Sequence, residues 1–381
     1  MSSPLHRSRR VAIRVDASRA IGWGHVKRCL ALAEALRAAG AEVRFLARAT
    51  DVDAAALLAG HDFECLAVVP TSPALSASGS APTVPHAHWL DVTPARDAAD
   101  TLAALGGWCP DVLVVDHYAI AASWHDALRR ATGAAIAAID DLADRPLAVD
   151  LVLDHNPSPD HRAKYRAVVD SGVTLLGGPA YALIDAVYRR QAKRAFHETV
   201  QRVGIFLGGT DPGQHSPWVL RACREHAGWR GPLQLATTSS SVHLDALRAE
   251  CARDSNLEIL IDQPNLAAFH VGHDLQIGAG GGALWERCAL GVPTLALVCA
   301  ANQRLSVPLL AEAGIVAGFD ALEQSAACQA ELGTLIARLI ASGAERARLR
   351  ERSLTLVDGR GAERAAAAIL ALAPPTEGAR R

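Results

Sequence analysis

The sequence carries no surplus of charge of either sign. Its 381 residues hold 38 Lys and Arg against 40 Asp and Glu, a net −2 with histidine neutral. A protein that grips nucleic acid or an anionic membrane through bulk charge needs a basic excess, so the balance excludes both partners as whole-chain readings. Long hydrophobic runs are missing too. The longest, Val292 to Ala301, contains Pro293 and reaches about half of the ~20 residues that a membrane span needs. The basic opening MSSPLHRSRR leads into an apolar stretch, Val11 to Val15, that is too short for a signal h-region and is interrupted by Arg14. A soluble, cytoplasmic protein is expected. Closely spaced cysteines are absent: Cys29, Cys65, Cys109, Cys223, Cys251, Cys288, Cys299 and Cys328 form no CxxC or zinc-ligand pair. Most stand among Leu, Ala and Val, which predicts buried, reduced thiols. His86 and His88 are close together but lack a cysteine or carboxylate cluster of ligand spacing. They read as loop histidines, a metal site being the lesser alternative. No metal and no cofactor is expected.

What is present is length and alternation. The length suggests two domains, and a 50% hydrophobic, 20% charged composition can furnish two cores. Strand signals at Val11–Val15, Ala41–Ala47, Asp111–Asp116, Ala134–Ile139, Val149–Leu153 and Val173–Leu176 alternate with helical stretches. The first of these is Gly24 to Ala39, with a stripe at Val26, Cys29, Leu30, Ala33 and Leu36. Gly40 closes it. The pattern resumes at Val203–Leu207, Leu233–Thr237, Leu257–Ile261, Leu275–Ile277 and Thr294–Val298. Alternation of this kind predicts an α/β fold of two doubly wound, Rossmann-like domains facing a cleft, with ligands at the carboxyl ends of the strands. A Ser, Ala, Pro and Gly-rich stretch between Pro70 and Pro85 reads as a flexible loop. A basic, helix-like segment, Arg189 to Arg194, precedes a domain boundary near residue 195, giving domains 1–195 and 196–381. A final helix, Ala362–Leu372, and a disordered tail, PPTEGARR, complete the second domain. No repeat of solenoid period is visible.

Four loops carry chemistry. In RVDASRAIGWGHVKR, residues 14–28, a strand ends at Asp16, Gly22 and Gly24 open the loop, and His25 begins a helix. Glycines allow close backbone approach, and a helix start offers free N–H groups. The positive end of the helix dipole disfavours imidazolium, so a neutral, proton-accepting His25 is expected. The bland alternative is a tight turn capped by a histidine. The loop is not a dinucleotide fingerprint, because Lys27 stands where the third glycine belongs. LGGTDPGQHS, residues 207–216, brings Gly208, Gly209 and many donors to a turn. IGAGGGALWERCALGVP, residues 277–293, places Gly280, Gly281 and Gly282 before a helix. That is a seat for a diphosphate, with Glu286 one turn on to accept two ribose hydroxyls; a packing turn with a solvated glutamate is the alternative. CAANQRLS, residues 299–306, offers Asn302 and Gln303 to sugar hydroxyls, amides or phosphate, unless Asn302 is a helix cap. No Walker loop, DxD-like motif or serine–histidine elbow occurs, and the adjacent Asp140 and Asp141 should point opposite ways.

DASRAIGWGHVKRCLALAEAL, VVDHYAI, IDDLADRP, GGTDP and IGAGGGALWERCALGVP followed by ANQ occur in this order over roughly residues 11–365. The set resembles the UDP-sugar hydrolases of pseudaminic acid biosynthesis, relatives of the MurG-type glycosyltransferases with the GT-B fold. The resemblance implies that UDP-2,4-diacetamido-2,4,6-trideoxy-β-L-altropyranose and water give the free sugar and UDP, by metal-independent attack at the anomeric carbon with inversion. It implies His25 as general base, with Asp16, Gly22, Gly24, Lys27, Tyr118, Asn302 and Gln303 supporting it or holding substrate. Asp16 would orient His25 or bind a polar group of the substrate. Gly208, Gly209, Gly280, Gly281, Gly282 and Glu286 would bind UDP.

Two departures from the family's pattern stand out. Where it has Tyr-Ala-Leu-Leu-Arg-Pro-Glu-Phe, residues 181–188 here are Tyr-Ala-Leu-Ile-Asp-Ala-Val-Tyr, so Asp185 replaces a cation. Its Ser-Thr is Gly282-Ala283 here, which removes two hydroxyls worth roughly 0.5–1.5 kcal/mol each as hydrogen bonds. A glycosyltransferase acting on a UDP-sugar, or a non-catalytic nucleotide-sugar binder, are the competing readings. Flagellin, capsule and lipopolysaccharide stay open as destinations of the product.

Overall fold

In a computed structural model, residues 7–70 and 84–372 are described and form two units. Most of the expected loop between Pro70 and Pro85, and the expected tail from Pro374, lie outside the described residues. The first unit holds seven strands: β1 (Arg10–Val15), β2 (Glu42–Ala47), β3 (Glu64–Ala67), β4 (Val112–Asp116), β5 (Ala135–Ile139), β6 (Leu151–Asp154) and β7 (Thr174–Gly177). They pair in parallel in the order β3-β2-β1-β4-β5-β6-β7, with Ile13 beside Phe45 on one side and Val114 on the other. The second unit holds β8 (Val203–Phe206), β9 (Leu233–Thr237), β10 (Leu257–Ile261), β11 (Leu275–Ala279), β12 (Thr294–Val298) and β13 (Ala317–Asp320). These are also parallel, in the order β10-β9-β8-β11-β12-β13. Each sheet reverses its winding once, between β1 and β4 and between β8 and β11. Those gaps are where a doubly wound sheet leaves room for a ligand.

A parallel sheet covered on both faces needs apolar residues on both sides of each strand. Val11, Ile13, Val112 and Val114 enter one core of the first unit, and Ala12, Leu113 and Val115 enter the other. The Gly24–Ala38 helix lays Val26, Cys29, Leu30, Ala33 and Leu36 into the first core, all of them buried. Arg14, the residue that interrupts the apolar stretch, is fully buried on β1. Asp16 takes its Nη1 at 2.5 Å, and Asp97 takes its Nη2 at 2.8 Å. A buried cation persists only when such partners surround it.

The expected boundary near residue 195 shifts to 183/184, and the last helix, Gly361–Leu370, belongs to the first unit rather than the second. Tyr188, whose hydroxyl accepts from Leu266 N–H at 3.3 Å, already belongs to the second unit. Ala362, Ala365, Ala366 and Ile369 complete the core of the Gly24–Ala38 helix. Gly361 permits this return, since a Cβ there would lie 2.3 Å from the Ala182 carbonyl oxygen. The expected helix at Arg189 to Arg194 is instead Ala186–Arg190, with Asp185 as its cap, accepting from Val187 N–H at 2.7 Å. All eight cysteines are free, but only Cys29, Cys223 and Cys288 are buried, and Cys109 is exposed because it stands in the turn before β4. Among the described residues, no helix is long and apolar enough to cross a membrane.

Two buried histidines make stability pH-dependent. Neither ring nitrogen of His125 has a hydrogen-bond partner among the described residues, and burial, aided by Arg145 and Arg129, pushes its pKa down to about 3. Burial likewise pushes His273 down to about 3. The unfolded chain binds these protons below about pH 6.5 while the folded chain does not, so stability is full above that pH and falls as the pH drops. By pH 5 each histidine should cost about 2 kcal/mol. The urea midpoint is therefore expected to fall between pH 7.5 and pH 5, before the carboxylates titrate; a flat midpoint across that range would contradict it.

Candidate functional site

In the first unit the residues gather where the sheet reverses. β1 delivers the loop that ends in the Gly24–Ala38 helix, and β4 ends on Asp116, directly beside it. The Asp116 side chain is fully buried. His25 Nδ1 lies 2.6 Å from its Oδ1, Arg28 donates through Nε and Nη2 at 2.6 Å each, and the Cys29 thiol donates at 3.4 Å. Burial alone would raise this carboxyl, but the charges and hydrogen bonds of Arg28 and His25 outweigh it and hold it well below the usual carboxylate range. Arg28 Nη2 also lies 3.1 Å from His25 Nδ1. An ionised carboxylate only accepts hydrogen bonds, so the 2.6 Å contact assigns a proton to Nδ1, and in the neutral ring the lone pair falls on Nε2. That is the tautomer of a general base.

Aromatic rings surround this imidazole. Tyr118 meets it edge-on at 4.8 Å between centroids and Trp89 at 5.6 Å; Trp89 stacks on Tyr118 at 5.3 Å, and His86 lies 5.0 Å from Trp89. The Tyr118 hydroxyl donates to Asp141, whose other oxygen accepts from Asn156 at 2.9 Å. Asp140, its neighbour, turns instead to Arg145 at 2.7 Å. Gly22 has a φ of +78°, which favours glycine; Gly24 does not, yet a Cβ on either would touch nothing within 4 Å. The space beside the helix start is therefore open rather than filled by packing.

Two expected supports stand elsewhere. Asp16 does not reach His25: Arg14, the Arg48 backbone N–H at 2.8 Å and His117 Nε2 at 3.3 Å occupy its carboxylate. Lys27 is exposed, and at two residues from His25 it faces another side of the helix. The group that orients His25 is Asp116, 91 positions away in the chain.

The second unit repeats the placement. β8 and β11 flank the reversal, and the loops after β8, β11 and β12 hold the remaining residues. The Ala283–Leu290 helix starts at Gly282 without a side-chain cap; its Leu284 and Trp285 N–H groups donate to the Gly281 and Gly282 carbonyls at 2.8 and 3.1 Å, so what the start presents to an anion is the positive dipole end. Gln303 lies against the loop: a Cβ on Gly280 would come within 3.5 Å of its Oε1, and one on Gly281 within 3.7 Å of its Nε2. Its Oε1 accepts from Cys299 N–H at 2.9 Å. Asn302 is exposed and caps nothing. Gly208 has a φ of +105°, while Gly209 gives up its side-chain space to Thr238 and accepts from that hydroxyl at 2.8 Å. Glu286 is held by His270, 3.1 Å from Nε2, and by the Tyr188 hydroxyl, and keeps 17% of its side chain exposed. Among the described residues, no group of three or more His, Cys, Asp or Glu side chains is placed to hold a metal ion.

The two units with their reversals match known structures along almost the whole chain. Acinetobacter baumannii MurG superposes with a TM-score of 0.59 at 16% identity, covering 96% of this chain and all of that one. The kitacinnamycin glycotransferase gives 0.62 at 19% identity, covering 95% and 98%, and the spinosyn forosaminyltransferase SpnP gives 0.59 at 18%. The fold is GT-B. No protein-family model matches the chain. Among curated proteins, the spore coat polysaccharide biosynthesis protein SpsG of Bacillus subtilis is 25% identical over 209 residues, 51% of this chain and 58% of that protein. The UDP-2,4-diacetamido-2,4,6-trideoxy-β-L-altropyranose hydrolase of Campylobacter jejuni is 26% identical over 204 residues, 54% of this chain and 72% of that protein. The chain thus spans little more than half the length of SpsG.

The tautomer assignment can be checked directly. Asp116→Asn turns an acceptor into a group that can donate to Nδ1, so the His25 proton is expected to move to Nε2. Long-range ¹H–¹⁵N NMR on histidine-labelled protein reads this shift, and an unchanged Nδ1–H tautomer in the variant would refute the assignment.

Proposed function

We propose that the protein hydrolyses a UDP-linked sugar, releasing the free sugar and UDP. The observation that carries this reading is the buried Asp116 holding His25 with its Nε2 lone pair free, beside open space at Gly22 and Gly24. In the proposed reaction a water oxygen attacks the anomeric carbon, its proton passes to His25 Nε2, and the bond from that carbon to the β-phosphate oxygen breaks with inversion. UDP leaves as the anion, stabilised by the uncapped start of the Ala283–Leu290 helix and the Gly280–Gly282 loop. Glu286 takes the ribose hydroxyls and Gln303 faces the diphosphate. Trp89, which is partly exposed, offers a ring to the sugar, and buried Tyr118 backs it.

The Campylobacter jejuni relative supports a 2,4-diacetamido-2,4,6-trideoxy sugar as the substrate, which would place the chain in pseudaminic acid biosynthesis. Asp185 does not oppose this: it caps a helix, so the cation missing at that position is replaced by a structural acid rather than by a repulsive group aimed at substrate. Transfer to an acceptor hydroxyl is the second reading, favoured by the glycosyltransferases that share the fold.

The test is to mix the purified chain with the UDP-altropyranose in EDTA and follow the anomeric protons by NMR. Prompt appearance of UDP and the inverted anomer is expected. His25→Ala should lower turnover by about 10²-fold or more while UDP affinity stays within about twofold. Sugar release only after an acceptor is added would favour the transferase. An intact substrate beside measurable UDP binding would overturn hydrolysis of this sugar.

A further inference from the structure

Arg287, on the Ala283–Leu290 helix, is a fully buried cation without a counter-charge in contact. Its Nη2 donates to the Ala279 carbonyl at 2.8 Å, immediately before the Gly280–Gly282 loop. Its Nε and Nη1 have no hydrogen-bond partner among the described residues. The seat is built for it: a Cβ on Gly278 would lie 2.4 Å from Nη1 and 2.8 Å from the Phe206 carbonyl oxygen, so only glycine leaves room at this point of β11. Phe206 ends β8 and Ala279 ends β11. The cation therefore lies against the carboxyl ends of two adjacent strands, where the Gly208–Gly209 and Gly280–Gly282 loops depart.

An isolated buried guanidinium is costly. Arg14, in the first unit, meets two carboxylates, whereas Arg287 meets none within ion-pair distance among the described residues. Burial pushes its pKa down to about 10, and the charge of Glu286 offsets that only in part. The uncapped helix start above it adds positive potential of the same sign. Two independent positive features thus converge on one loop, and among the described residues no carboxylate lies within ion-pair distance of the guanidinium.

We infer that Arg287 is the buried counter-charge for a diphosphate group seated on the Gly280–Gly282 loop. The inference rests on the nucleotide reading above and deepens it. Arg287 acts through the field and through its hold on Ala279; with no exposed surface it does not touch the phosphates. It is a positioning residue, and the missing hydroxyls at Gly282 and Ala283 are offset by a charge in the floor of the seat.

Calorimetric titration of the full chain with UDP, uridine and inorganic pyrophosphate tests this, using Arg287→Met and Arg287→Lys. Arg287→Met is expected to weaken UDP and pyrophosphate about tenfold or more while uridine affinity stays unchanged. Its ligand-free melting temperature should hold or rise, because a desolvated charge is replaced by an apolar side chain of similar length. Arg287→Lys, which keeps the charge, should bind UDP more tightly than Arg287→Met. Equal loss of UDP and uridine in a folded variant, or no loss of UDP, overturns the inference. If Arg287→Met does not fold, Arg287→Gln takes its place: weakening of UDP and pyrophosphate without weakening of uridine supports the role, and equal weakening, or none, refutes it. Failure of the unaltered protein to bind UDP at all would instead bring down the nucleotide reading, and the inference with it.

Discussion

A single carboxylate with no exposed surface organises the first unit's site. Asp116 closes β4 at the point where the sheet reverses and receives His25, Arg28 and Cys29 from one turn of one helix. Desolvating that charge would be prohibitive without the guanidinium opposite it, and the guanidinium would be equally costly without the carboxylate. The pair fixes where the Gly24–Ala38 helix begins relative to β4. That in turn fixes the imidazole against Tyr118 and Trp89 and leaves one ring nitrogen with a lone pair. The proposed base is a consequence of this pairing rather than of the histidine alone.

The second unit answers the same topological opening with the opposite economy of charge. There a buried cation, Arg287, has no carboxylate within ion-pair distance among the described residues, and the helix start next to it has no side-chain cap. One unit pairs its buried charges and leaves a ring nitrogen to accept a proton. The other offsets its positive potential only in part. A reaction in which a neutral nucleophile loses a proton and a diphosphate departs with one more negative charge than it held as an ester needs both kinds of environment.

Much of this was legible in the residues. Eleven strands show as apolar runs because a parallel sheet buried on both faces cannot afford alternation. The two that do not show, β3 and β13, are half-exposed edge strands of four residues, too short for an apolar run to stand out. The loops announced themselves through glycine, which marks positive φ at Gly22 and Gly208 and close approach at Gly280. Asp116 did not: it is one aspartate at a strand end, and nothing in spacing links it to a histidine 91 positions earlier. Asp16 does not orient His25, for the complementary reason. It stands nearer to His25 in the chain, yet Arg14, two residues away on the same face of β1, claims it. Partner choice among buried charges is a matter of three-dimensional register, which sequence distance does not encode. The Ala-rich last helix was equally opaque, since a small apolar stripe fits the surface of either unit.

That last helix has a consequence for how the chain matures. The second unit is one uninterrupted segment, 184–360, whereas the first is completed only when Gly361–Leu370 arrives. Emerging from a ribosome, the second unit can close its core while the first still exposes the strip of Val26, Leu30 and Leu36 that Ala365 and Ile369 will cover. The usual order of domain folding is thereby inverted. A segment translated after the second unit completes the unit translated before it, and until it does, one side of the Gly24–Ala38 helix lacks its cover.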